Sequence, residues 1–233
     1  ILIGSMLLST LGLTLPAGRG TPAVPDAVGT GIDDFEYGDS TDWGFFGGNL
    51  AGGGGGVLDD RPYEGTYYFS TGWGGEGSTS VFYGGAFKNL DNAAQVTPPA
   101  DPWFNVWVLN QSDATVDQYT LEITIREDTN GDGWTDGAED SFRLDTSFSS
   151  ADFDDEWTLV SAPLSAFSDL ATGGDGTFNG DLDEVVIVIS GVQGGSGSTV
   201  EVDFDLFAFS SGGPLAFDEV VFDDMEHGDP LSK

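Results

Sequence analysis

The chain has no cysteine and a single histidine, His227, in 233 residues. Without thiols there can be no disulfide, no thiol nucleophile, no cysteine-held metal and no lipidated cysteine anchor. The lone imidazole sits in an acidic C-terminal segment, and no Ser-His-Asp arrangement, histidine zinc helix or nucleotide fingerprint is present. Positive charge is scarce as well: 6 Lys and Arg stand against 40 Asp and Glu, for a net charge of -34. Such a chain repels nucleic acid and anionic membrane surfaces, and it points to cations, neutral partners or high salt. The sequence carries no apolar stripe of helical period longer than two turns. Its apolar stretch Ile1–Leu15 falls short of the roughly 20 residues that span a bilayer, so no stable membrane span is expected. Carboxylates are too many for any two to be singled out as a glycosidase pair, whose chemistry depends on separation in space. Catalysis is not expected.

What the sequence does contain is short apolar runs separated by Gly, Asp, Asn and Ser clusters, an all-β pattern. Strands are expected at Tyr67–Ser70, Ser80–Tyr83, Phe104–Leu109, Tyr119–Arg126, Ser141–Leu144, Trp157–Pro163, Glu184–Ser190 and Val200–Phe209. This number of strands with turns between them predicts two packed antiparallel sheets, a jelly-roll-like β-sandwich. Val185–Ile189 reads as a fully buried strand, and Val202, Phe204 and Leu206 alternate with Asp203 and Asp205 as a strand with one wet face. The Gly52–Gly56 and Gly191–Ser198 segments lack side chains that could build a core and read as loops.

The most specific motif is Asp128–Glu139, DTNGDGWTDGAE, which fulfils the twelve-residue calcium-loop pattern D-x-[DN]-x-[DN]-G-x5-E. A hard divalent cation takes six to eight oxygens. The spacing offers Asp128, Asn130 and Asp132, the Trp134 carbonyl, Asp136 directly or through water, and a bidentate Glu139. Gly133 stands where such a loop turns sharply. Strand-like alternation flanks the motif on both sides, so the loop is expected to join two strands rather than two helices. A Ca²⁺ held there staples a long connection; with no helix pair to open, it cannot act as a sensor.

The ends carry two further signals. Residues 1–31 comprise the apolar Ile1–Leu15 stretch and a Pro/Gly/Ala-rich linker. This stretch reads either as the hydrophobic core of a secretory signal peptide or, if retained, as a strand that must be buried against something such as a neighbouring subunit. The segment Ile32–Asp39, IDDFEYGD, returns as Phe222–Asp229, FDDMEHGD. The tail 212–233 thus echoes the opening of the 32–211 domain, as the start of a tandem repeat would.

The stretch FNVWVLNQSDATVDQYTLEITIREDTNGDGWTDGAEDSFRL, followed by EWTLVSAPLSAF, GDLDEVVIVISG and VDFDLFAF, resembles the galactose-binding-like, carbohydrate-binding-module type of jelly-roll domain found on secreted bacterial surface proteins. The opening IDDFE segment, the W-x-x-V-x-x-P-L strand at Trp157–Leu164 and the late strand Val202–Phe209 fit that pattern. The resemblance implies a non-catalytic extracellular module that binds glycan. For stacking on sugar, Trp43, Trp73 and Trp103 are the candidates, because they lie among Gly, Asp and Pro, whereas Trp157 reads as sandwich filling. The alternative is a self-assembling subunit of an extracellular filament or surface layer, joined to copies of itself by strand exchange through its terminal segments.

Overall fold

A computed structural model describes residues 29–75, 82–90, 94–113, 115–131, 139–149, 152, 156–170, 173–194, 197–215 and 220–221. Thirteen strands build two sheets, and no α-helix occurs among the described residues. The strands are β1 Gly29–Asp33, β2 Trp43–Gly48, β3 Leu50–Leu58, β4 Tyr68–Gly75, β5 Tyr83–Asn89, β6 Pro102–Asn110, β7 Val116–Asp128, β8 Ser141–Ser149, β9 Thr158–Pro163, β10 Ser168–Asp169, β11 Asp181–Gly194, β12 Thr199–Ser211 and β13 Val220–Val221. The first sheet runs β13-β1-β12-β4-β3, with β6 on the other flank of β12 and β9 beyond it. The second runs β10-β8-β7-β11-β5-β2. Every ladder is antiparallel except β1 with β13. The architecture is the antiparallel β-sandwich that the turn spacing predicts.

Alternation explains the long strands. In β7, Tyr119, Leu121, Ile123 and Ile125 face the core and Thr120, Glu122 and Arg126 face away. In β11, Val185, Ile187 and Ile189 do the same. The central strand β12 changes phase on the way. Val202 and Phe204 point inward, and then Leu206 takes a positive φ of 53° where the β6 register slips between Asp205 and Ala208. One extra residue rotates the rest of the strand, so Phe207 and Phe209, not Leu206, fill the core. The outer face is also dry there: Asp203 and Asp205 are 0% and 1% exposed, Asp205 beneath residues 59–66 and Asp203 accepting from Gln111 Nε2. The expectation of a wet face failed there.

The opening IDDFE segment is an anchor. Asp33 accepts hydrogen bonds from Phe35 N (2.9 Å), Trp43 Nε1 (2.9 Å) and Lys88 Nζ (2.9 Å). Phe35, at a φ of 60°, stacks on Phe69 at 5.2 Å. Glu36 accepts from Thr66 N (2.8 Å) and Tyr67 N (3.0 Å), fastening the β3–β4 connection.

Two glycine-rich segments read as loops are strands instead. Gly52–Gly56 forms most of β3, and Gly191–Gly194 ends β11. In β3 the missing side chains make room: a Cβ at Gly53 would stand 2.4 Å from the Trp73 ring, and one at Gly84 on β5 would stand 2.1 Å from it. Trp73 thus occupies the space between the two sheets. The sandwich also extends past the expected boundaries, since β1 starts at Gly29 and Leu215 is buried. The Val220–Val221 pair continues sheet one beside its own β1. Ser80 and Val81, the stretch Ile1–Leu15 and the echo Phe222–Asp229 lie outside the described residues.

Candidate functional site

The calcium-loop motif joins β7 to β8, which are neighbours in register from Gln118↔Ser149 to Arg126↔Ser141. A strand-to-strand connection is therefore what the structure places there. Asp132, Trp134 and Asp136 lie outside the described residues; Asp128, Asn130 and Glu139 lie within them. Positions one and twelve of the motif meet at the mouth of the loop, both buried, at 3% and 1% exposure. Asp128 Oδ1 accepts from Asn130 N (3.0 Å) and Gly131 N (2.6 Å), and Glu139 Oε1 accepts from Thr129 N (2.8 Å). Gln95 Nε2 donates to Asp128 Oδ2 (2.8 Å) and to Asp183 Oδ1 (3.1 Å).

More negative charge gathers around this mouth. Glu127 and Asp140 flank the motif at 1% and 0% exposure. Each is braced by the 173–180 segment: Asn179 N and Gly180 N donate to Glu127 Oε2, and Asp175 N and Gly176 N donate to Asp140 Oδ2. Burial raises the Glu127 carboxyl above its ordinary pKa, and the nearby Asp140 adds to the shift. Among the described residues, Asp140 Oδ1 has no hydrogen-bond partner. Buried carboxylates in such density are costly unless cations or donors compensate them. Oxygen donors at this density suit a hard cation, although no three acidic side chains among the described residues form a complete cage by themselves.

The aromatic candidates divide differently from the sequence reading. Trp43 and Trp73 are 6% and 1% exposed and belong to the core, so neither offers a face to a ligand. Trp103 is half-buried on β6, opposite Pro163 and Ser210. Trp157, expected between the sheets, packs instead on the outer side. Its Nε1 donates to Arg61 O (3.1 Å), and its ring meets Tyr68 edge-on at 5.9 Å. There the 59–66 segment closes over sheet one. Tyr63 stacks on Trp107 at 3.8 Å, and the Tyr63 and Glu64 amides donate to Asp205 Oδ2. Burial pushes the Asp203 carboxyl up to about 6 and, beneath this cover, that of Asp205 up to about 7.

The outer face of sheet two carries a different arrangement, which sequence reasoning missed. On β2 and β5 the register sets Gly44 opposite Phe87, Phe46 opposite Gly85 and Gly48 opposite Tyr83. Each ring lies over the glycine facing it: a Cβ added at Gly44, Gly85 or Gly48 would come within 2.3, 2.4 or 2.7 Å of the ring. The Phe46 and Phe87 centroids are 6.3 Å apart. Phe46 and Tyr83 are 37% and 45% exposed. Next to this row, β7, β8 and β11 supply a polar band. Glu122 joins Arg143 (3.2 Å) and Ser190, while Arg126 pairs with Glu184. Flat rings beside fixed donors and acceptors suit a ligand with apolar faces and many hydroxyls. The signal was present as complementary spacing, G-F-F-G-G against Y-G-G-A-F, but only the strand register reveals it.

At the level of sequence, neither a scan against protein-family profiles nor a comparison with curated proteins returns a match. By structure, the chain is similar to one solved in a study of promiscuous specificity among carbohydrate-binding modules of the β-sandwich superfamily. That match has a TM-score of 0.50 and 12% identity and covers 76% of this chain and 60% of that one. A family 30 carbohydrate-binding module of a Clostridium thermocellum cellulosomal cellulase aligns at TM-score 0.47 and 13% identity, over 79% of this chain and 98% of that one. The xylan-binding CBM22-1 domain of a Paenibacillus barcinonensis protein aligns at 0.41 and 14%, over 78% and 95%. At these identities the likeness is one of fold, the β-sandwich.

Proposed function

We propose that this chain is a non-catalytic glycan-binding module of a secreted or cell-surface protein, and that the aromatic row Phe46, Phe87 and Tyr83 with its polar neighbours is the contact surface. The observation that carries the reading is this row of rings, each seated on a glycine of the facing strand on the outer face of sheet two, with Phe46 and Tyr83 exposed. The likeness to a carbohydrate-binding module supports it. Net charge favours neutral polysaccharide over anionic polymers. The same reading assigns a structural Ca²⁺ to Asp128, Asn130, Asp132, the Trp134 carbonyl, Asp136 and Glu139, where it would neutralise part of the buried negative charge at the end of β7 and β8. Affinity electrophoresis in gels containing soluble xylan or mixed-linkage β-glucan tests the surface. Wild type should be retarded in at least one gel, and a Phe46→Ala/Tyr83→Ala variant should lose about tenfold or more in affinity with its melting temperature nearly unchanged. Equal retardation of variant and wild type, or none of wild type in any neutral polysaccharide, would remove the proposal.

A further inference from the structure

We propose that the free edge of β3 pairs with the same edge of a second copy of this chain, antiparallel and two-fold symmetric about Gly54. β3 is the terminal strand of sheet one, and among the described residues β4 is its one ladder partner. Its other side therefore presents a row of backbone donors and acceptors. Natural edges are usually blunted by Lys, Pro, an inward charge or a short length. β3 is nine residues long, LAGGGGGVL, with no charge and no proline. The irregular step at Ala51 bends only its start.

The occupant follows from the sequence of the edge itself. Read from either end, the strand is nearly the same: Leu50 answers Leu58, Ala51 answers Val57, Gly52 answers Gly56 and Gly53 answers Gly55. An isologous contact requires this self-complementarity. The inner side of the strand is seated under Trp73 and Phe45, against Gly53 and Gly55. On the outer face, a Cβ at Gly52, Gly54 or Gly56 would meet nothing within 4 Å, so that face is open along the length of the edge and can accept a substituted side chain. At one end Leu58 is 45% exposed, while Leu50, beyond the irregular step, packs against its own core, so the pairing proposed spans Gly52–Gly56. The charge of -34 on each copy opposes the encounter, so pairing strengthens as salt screens it. The aromatic row is on the other sheet, and the two proposals stand or fall separately.

Sedimentation velocity of the full chain over a hundredfold concentration range, at about 0.1 M and about 1 M NaCl, reads the result, because screening shortens from about 10 Å to about 3 Å between them. Wild type should shift from monomer toward dimer with concentration, more so at high salt. A G52K/G56K variant, whose new lysines would face each other across the dyad, should stay monomeric, as should G52E/G56E. An equimolar mixture of the two should recover the dimer. Hydrogen exchange on wild type supplies a reading that needs no variant: amides 52–56 should become more protected as concentration rises. A wild type that stays monomeric throughout, a lysine variant that dimerises like wild type, or a mixture that stays monomeric would each overturn the proposal.

Discussion

Replacing Asp33 with alanine removes one carboxylate and strands three donors at once. Phe35 N and Trp43 Nε1 lose their partner inside the aromatic cluster, and Lys88 Nζ loses its counter-ion at 15% side-chain exposure. A buried neutral donor left unpaired costs about 1–3 kcal/mol, and removing one partner of a buried ion pair costs about 3–5 kcal/mol. Because Lys88 can swing partly into water, the sum is discounted to about 4–6 kcal/mol. At roughly 2–4 °C per kcal/mol for a domain of this size, the melting temperature should fall by about 8–24 °C. Urea denaturation followed by tryptophan fluorescence measures the loss. A companion Lys88→Met change removes the stranded cation, so Asp33→Ala/Lys88→Met should lose clearly less than the two single losses added together. A loss below about 1 kcal/mol for Asp33→Ala, or simple additivity in the pair, would refute the claim that this carboxylate anchors the IDDFE segment.

Two other outcomes follow from the buried charges. Asp132→Ala should lower the melting temperature in millimolar Ca²⁺ and change little in chelator, as read by calorimetry; equal losses in both conditions would remove the metal assignment. The raised carboxyls of Asp203 and Asp205 bind protons more tightly folded than unfolded, so their contribution is greatest below about pH 4 and fades as pH rises through about 6 and 7. An Asp203→Asn/Asp205→Asn variant should therefore gain on wild type between pH 4 and pH 8 in urea titrations, and a constant difference across that range would argue that both carboxylates are ordinary.

The parts of the fold legible in the sequence are those where period-two alternation survives, as in β7 and β11, and the strand-to-strand setting of the Asp128–Glu139 loop. β2 and β3 were not legible, because glycine gives no hydrophobic signal and their pairing depends on rings donated by other strands. The same cause hid the aromatic row on β2 and β5. Trp43 and Trp73 sit among glycines in sequence, which suggests exposed loops. In space Trp73 is buried because glycines remote from it in sequence, Gly53 on β3 and Gly84 on β5, leave room for its ring. Phe46, Phe87 and Tyr83 look like core residues until the register sets each above a glycine on the outer face. The phase change at Leu206 was equally hidden, since both halves of β12 alternate correctly on their own.

The ring-over-glycine arrangement bears on the thermodynamics of any flat ligand that settles on β2 and β5. A side chain that must be ordered on binding costs about 0.5–1.5 kcal/mol. Phe46, Phe87 and Tyr83 already rest on backbone, with no Cβ beneath to tilt them, so much of that ordering was completed when the chain folded. Alanine at Gly48, where an added Cβ meets first the Tyr83 ring, would leave every ring chemically intact and yet return disorder to the unbound state; calorimetry would register the change as a less favourable binding entropy.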